Sequence, residues 1–294
     1  MANITDLKIL VTGANGQLGS ELKAVSCTLP AAEFTYVDID DMDLGSDTAM
    51  DQFFTNRHFD FVINCAAYTA VDKAEQDQAI AYRINADAVK TIARQCKQKS
   101  MRLIHISTDY VFDGSGNQPI KEDADPNPLS VYGKSKLDGE RHVLELLDNA
   151  YIVRTAWVYS QFGKNFVKTI AKLAREKEVL KVVSDQVGSP TYARDLARTI
   201  LSMIGKIFSR EVDVPGVYHF TNEGVISWYD FAWFIVRYYR LSCRVEAIPT
   251  DAYPTPAVRP KFSALDKSKL KTTFGVTVPH WYESLNECLG SLEL

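Results

Sequence analysis

Through the first half of the chain, short apolar runs alternate with longer amphipathic stretches. Lys8 to Thr12, Phe34 to Asp38, Phe61 to Asn64, Leu103 to Ser107 and Tyr151 to Thr155 are rich in Val, Ile, Leu and Phe, the composition of strands buried on both faces. Between them, Gln17 to Ser26, Thr48 to Asn56, Ala79 to Lys99 and Val131 to Leu147 carry helical spacing. Strand, helix, strand repeated this often predicts an α/β fold, a doubly wound parallel sheet of the Rossmann type with right-handed crossovers. Ligands of such sheets bind at the carboxyl ends of the strands, where the strand order reverses.

After Tyr159 the pattern loosens. Phe162 to Lys177 reads as a helix, and Ser227 to Tyr239 as another with Ser227 as N-cap before Trp228. Pro249, Pro254, Pro256 and Pro260 make a loop before short helices at Lys267 to Thr273 and Trp281 to Leu289. The reading is a large domain over 1–159 and a smaller α+β substrate domain over 160–294. The two are interleaved, because Val182 to Ser184 and Val217 to Thr221 read as segments returning to the large sheet.

Composition removes several classes. The 294 residues are 46% hydrophobic and 24% charged, with a net charge of −4, which excludes a disordered, collagenous or rod-like chain. No run reaches the roughly 18 to 20 apolar residues of a membrane span, and Met1 to Leu10 lacks the pattern of a signal peptide, so a cytoplasmic protein without a membrane partner is expected. The five cysteines are scattered without a C-x-x-C pair, and the five histidines lack ligand spacing, so no metal is expected from them. The acidic balance and the absence of a long basic run argue against nucleic acid.

Three of only 15 glycines fall at Gly13, Gly16 and Gly19, directly after the first strand and at the opening of the first helix. Glycine there permits a tight turn, lets backbone approach a pyrophosphate and packs helix on strand, while free N–H groups at the helix start attract the anion. Asp38 stands about 20 positions beyond Gly16 at the end of the second strand, the place of a ribose-binding acid. No Arg or Lys occurs between Asp38 and Arg57 to take a 2′-phosphate, so the cofactor reading, NADH or NADPH, leans to NADH.

Further on, Ser107 and Thr108 end the fourth strand, and Tyr132 and Lys136 share one helix face four residues apart. An ammonium beside a phenol stabilises the phenolate and is expected to bring its pKa from about 10 toward neutrality. A Thr108 or Ser107 hydroxyl can hold a substrate carbonyl from the other side.

Together Gly13 to Gly19, Ser107 to Tyr110 and Tyr132 to Lys136 resemble the extended short-chain dehydrogenase/reductases. More narrowly, Asn64 to Glu75, Ser107 to Gly114, Arg154 to Tyr159, Asn165-Phe166, Asp185 to Thr191 and Ala252 to Pro260 resemble the dTDP-4-dehydrorhamnose reductase family, over almost the whole chain. The resemblance implies transfer of hydride from NAD(P)H to C4 of a dTDP-4-keto-sugar, with Tyr132 as proton donor, Lys136 on the nicotinamide ribose and Thr108 on the carbonyl. It implies a cofactor lining of Gly13, Gly16, Gln17, Leu18, Gly19, Asp38, Asp43, Leu44, Ala66, Ala67, Tyr68, Tyr132 and Lys136. On the substrate side it implies Thr69, Thr108, Asp109, Trp157, Asn165, Gln186 and Arg259. Arg259 also has a case of its own, since a guanidinium binds diphosphate oxygens bidentately and this one lies in a proline-stiffened loop.

Some members of that family dimerise through magnesium held by glutamates. Glu21 stands at one such position, but Arg194, a cation, follows Tyr192-Ala193, so no metal is expected, and the state is monomer or homodimer. Two rivals remain. A sugar-nucleotide dehydratase or epimerase would share the fold, yet dehydratases carry Thr-Asp-Glu where this chain has Thr108-Asp109-Tyr110. A regulatory subunit resembling the β subunit of methionine adenosyltransferase would bind the cofactor without catalysis.

Overall fold

The computed structural model describes residues 7–292. In chain order the first half forms β1 (Leu7–Thr12), α1 (Gln17–Val25), β2 (Ala32–Val37), α2 (Asp47–Phe54), β3 (Phe61–Asn64), α3 (Val71–Ala74), α4 (Gln78–Tyr82), α5 (Ala88–Gln98), β4 (Arg102–Thr108), α6 (Val131–Leu146) and β5 (Tyr151–Thr155). The second half continues with β6 (Val158–Tyr159), α7 (Phe166–Glu176), β7 (Val179–Val183), β8 (Val187–Gly188), β9 (Thr191–Tyr192), α8 (Ala193–Phe208) and β10 (Gly216–His219). It ends with β11 (Ile226–Ser227), α9 (Trp228–Tyr238), β12 (Arg244–Ile248), α10 (Ser268–Phe274) and α11 (Trp281–Gly290).

Six strands form one parallel sheet in the order β10-β5-β4-β3-β1-β2. The order reverses between β1 and β3, which opens a crevice at their carboxyl ends. Strand periodicity divides the core: Leu7, Ile9 and Val11 of β1 pack in a cluster with α1, α8 and α10, whereas Leu10 joins the opposite cluster with α2 and α5. Polar residues stand in register at the strand ends. Thr12 pairs with Asn64, and Asn64 with His105.

Three features depart from the sequence reading. The helix expected over Ala79 to Lys99 is broken by a π-helical turn at Arg83–Asp87. That turn lays the Asn85 backbone against Gly139 of α6, where a Cβ would overlap the Asn85 carbonyl oxygen. A 16-residue helix, α8, forms where the sequence reading places no element; its Leu196, Ala197, Ile200, Leu201, Ile204 and Ile207 sit under the sheet. Finally, Val182 and Val183 do not enter the large sheet. They lie in β7, which pairs with β12 in a separate two-stranded sheet, while β10 does join the large sheet beside β5.

The rest of the second half encloses its own apolar cluster, from Val167 and Ile170 of α7, Leu180 of β7, Phe231 and Ile235 of α9 and Leu285 of α11. Among the described residues no helix is long and apolar enough to cross a membrane.

Candidate functional site

A cleft of about 750 Å³ runs along the carboxyl ends of β1, β3 and β4. At its nucleotide end Gly13 has φ of 66°, and a Cβ there would lie 2.7 Å from the Ala66 nitrogen. Only glycine lets the two turns touch across the switch point. Gly19 packs beneath the turn instead of lining the cleft, and a Cβ on it would overlap the Gly13 carbonyl. Helices α2, α6, α7 and α9 each begin with a side-chain cap, from Ser46, Ser130, Asn165 and Ser227. Helix α1 begins at Gly16 with none, which leaves its first N–H groups free for an anion. Gln17 and Leu18 of that first turn line the cleft.

Asp38 follows β2 and does two things. Its Oδ2 accepts the Asn15 N–H at 2.8 Å and its Oδ1 the Ile39 N–H at 2.9 Å, tying the glycine turn to β2, while the residue lines the cleft. Asp43, Leu44, Ala66, Ala67, Tyr68 and Thr69 line the same wall. The cradle fits a dinucleotide: backbone donors sit at the turn and an acid sits where a ribose would lie.

At the other end Tyr132 and Lys136 project from α6 into the cleft, near Thr108 and Asp109 at the end of β4. Burial pushes the Tyr132 phenol up to about 12, with the Thr108 hydroxyl pulling it down and the Asp109 charge adding to the rise. This corrects the expectation of a phenol near neutrality. Lys136 Nζ donates to the Ile106 carbonyl at 2.6 Å and lies 3.5 Å from His105 Nε2, so β4 fixes the position of the ammonium. Burial brings Lys136 itself down to about 8, against the pull of Glu140. His105 is held in turn by Asn64 at 3.1 Å, and Asn64 accepts from Thr12 at 2.6 Å, so the strand-end register becomes a buried polar row ending at Lys136.

Thr108 donates its hydroxyl proton to Asp109 Oδ1 at 3.0 Å and accepts from the Tyr110 N–H at 3.2 Å. To hold a carbonyl that proton must turn into the cleft. Asp109 is buried, its Oδ2 makes no hydrogen bond of ordinary geometry among the described residues, and burial raises its carboxyl to about 6 against the pull of the Ser263 and Thr108 hydroxyls.

The remaining predicted residues separate. Trp157 and Asn165 line the cleft. Asn165 caps α7 and donates to Gln17 Oε1 at 2.9 Å, joining the second half of the chain to α1. Gln186 and Arg259 do not line it: Gln186 donates to Thr250 Oγ1 at 3.2 Å, and Arg259 grips Asp72 through two nitrogens, at 3.1 and 2.7 Å.

Comparison with known proteins agrees with this geometry. Residues 7–294 match the family described as RmlD substrate binding domain. The chain is 38% identical to the dTDP-4-dehydrorhamnose reductase of Aggregatibacter actinomycetemcomitans, over 95% of this chain and 97% of that one. The chain belongs to this reductase family. A crystal structure of a dTDP-4-dehydrorhamnose reductase from Clostridium acetobutylicum superposes with a TM-score of 0.92 at 43% identity, covering 98% of this chain and all of that one. The Bacillus anthracis enzyme, solved in complex with NADP, superposes at 0.90 with 36% identity, covering 96% and 98%.

Glu21, which stands at an expected magnesium position, is already engaged. It is buried, accepts from Arg194 Nε at 2.8 Å and from Ser160 Oγ at 2.6 Å, and a carboxylate so paired does not fit a metal site. Among the described residues there is no group of three or more acidic, Cys or His side chains that could hold one.

Sequence reasoning passed over Asn85. Its side chain accepts from the Tyr68 N–H at 2.8 Å and donates to the Tyr68 carbonyl and to Ser135 Oγ, both at 3.1 Å, so it joins the cofactor wall to the catalytic helix. The available signal was an Asn inside a long helical stretch, where its competition with the backbone is unfavourable unless a partner takes it up.

Proposed function

We propose that this chain reduces the C4 ketone of dTDP-4-dehydro-6-deoxy-L-mannose to give dTDP-L-rhamnose, at the cost of NADH or NADPH. A single observation carries the reading: Tyr132, Lys136 and Thr108 converge on a cleft whose other end is built for a dinucleotide. A ketone reductase needs a proton donor that still carries its proton at neutral pH, and the Tyr132 phenol does.

When bound, the dinucleotide supplies the hydride. Tyr132 gives its Oη proton to the alkoxide oxygen developing at C4. Thr108, with its proton turned inward, orients the carbonyl toward Tyr132. Lys136, anchored on the Ile106 carbonyl, holds a cation beneath the nicotinamide ribose and offsets negative charge on the phenolate. Asp109 faces the sugar as a hydrogen-bonding carboxyl, Trp157 packs against the hexose ring, and Arg259 leaves Asp72 to meet the diphosphate. Asp38 with Asp43 at the ribose end, and no cation but Lys136 and Lys164 along the described lining, support NADH as the preferred donor. Both reactants are water-soluble, which suits a cytoplasmic enzyme.

The test is NAD(P)H oxidation with the dTDP-4-keto-sugar. Tyr132→Phe is expected to lower kcat/KM by roughly 10² to 10⁴ while dinucleotide affinity stays within about twofold. Undiminished turnover would overturn the role of Tyr132, and no turnover of any 4-keto-sugar nucleotide by the unaltered chain would overturn the whole reading.

A further inference from the structure

Four non-glycine residues among those described have positive φ: Ser100, Trp157, Arg210 and Arg240. Ser100, Arg210 and Arg240 each stand two residues past a helix end, the usual place for a left-handed residue. Trp157, at 50°, has no such excuse. It lies between β5 and β6 and lines the cleft, and a bulky side chain in that conformation persists only where surrounding structure enforces it.

The enforcement is visible. The Trp157 indole stacks on Trp228 with ring centroids 3.6 Å apart and planes 12° from parallel. That is closer and more nearly face-to-face than the offset arrangement aromatic pairs prefer, so neighbours hold it. Phe166, next to the α7 cap Asn165, lies 4.6 Å from the Trp228 ring. Gly188 of β8 touches the Trp157 indole, where a Cβ would approach to 3.1 Å. β8 pairs antiparallel with β11, and β11 leads straight into Trp228, so one short ladder fixes both contacts on the indole. Trp228 is the first residue of α9, pinned by a capping box in which Ser227 and Asp230 bond reciprocally.

We propose that Trp228 is a positioning residue for the sugar nucleotide: it holds Trp157 in the strained conformation that lines the cleft, and so sets affinity for the hexose ring without touching the dinucleotide. This rests on the reading that Trp157 contacts the sugar. The C–H groups of a hexose pack on an indole that is already immobile, so little side-chain freedom is lost on binding.

Trp228→Leu and Trp228→Phe test it, with Trp157→Leu alongside. Two indoles this close couple their transitions, so wild type is expected to give an exciton couplet in circular dichroism that each of the three variants loses. The dissociation constant for dTDP-L-rhamnose and the KM for the keto-sugar are expected to rise at least tenfold in Trp228→Leu, with recovery to within about threefold in Trp228→Phe and NADH affinity unchanged in both. Loss of the couplet in Trp228→Leu with sugar-nucleotide affinity intact would overturn the proposal, as would a parallel fall in NADH affinity in either Trp228 variant. If Trp157→Leu also leaves affinity intact, the sugar contact of Trp157 falls with it. If Trp157→Leu alone weakens binding, only the role of Trp228 is lost.

Discussion

The two ends of the cleft are built by different means. The core of the nucleotide end is local: a glycine turn, an uncapped helix start and an acid bonded to the Asn15 and Ile39 N–H groups, all within the first 39 residues. The sugar end is made of side chains that meet from distant segments: Thr108 and Asp109, Tyr132, Trp157, Asn165 and, behind Trp157, Trp228. In the first, a short sequence dictates its own geometry. In the second, Thr108 is engaged by Asp109, and two residues expected there are held outside the cleft by other partners, Arg259 by Asp72 and Gln186 by Thr250.

That contrast predicts that the sugar end is assembled at some cost to the fold, which Asp109→Asn should expose. The native carboxyl titrates near 6 because it is buried, whereas an unfolded Asp titrates near 4. Between those values the unfolded state binds fewer protons, so the native state loses stability as pH rises through about 4 to 6 and keeps that deficit above. Removing the charge is expected to stabilise the protein by about 2 to 3 kcal/mol at pH 7.5 and hardly at all at pH 3.5, while lowering activity. Urea unfolding at the two pH values decides it, and equal effects at both would contradict a burial penalty.

At the nucleotide end, where few residues suffice, specificity should move with few changes. Asp38→Ala combined with Ile39→Arg is expected to raise the NADPH-to-NADH ratio of kcat/KM at least tenfold, by replacing a carboxylate with a guanidinium beside the 2′ position. An unchanged ratio would mean that the acid ties the turn to β2 and nothing more.

The smallest effect concerns Arg259. If it exchanges Asp72 for the diphosphate, Asp72→Asn frees it and should lower the KM for the sugar nucleotide about threefold, with kcat little changed, whereas Arg259→Gln should raise that KM. A higher KM in both variants would make the pair a structural clasp between α3 and the proline loop.

Much of this was legible in the residues. The five strand cores, the glycine turn, Asp38 and the Tyr132–Lys136 spacing are patterns of near neighbours along the chain, readable before the pairing that completes them is known. The Ser227 cap before Trp228 belongs with them, because a capping box is closed within four residues. Helix α8 is equally local in its apolar spacing.

What tertiary structure alone decided concerns charges and partners. The Tyr132 phenol is raised and not lowered because burial outweighs an ammonium whose nearest acceptor is the Ile106 carbonyl. Arg194 neutralises Glu21 across 173 residues, and the Trp157 stack needs β8, β11 and α9 to converge. Helical and strand periods, caps and glycine turns are properties of neighbours along the chain, so sequence can declare them. Desolvation and ion pairing depend on which distant groups the fold brings within a few ångströms, and no linear pattern contains that distance.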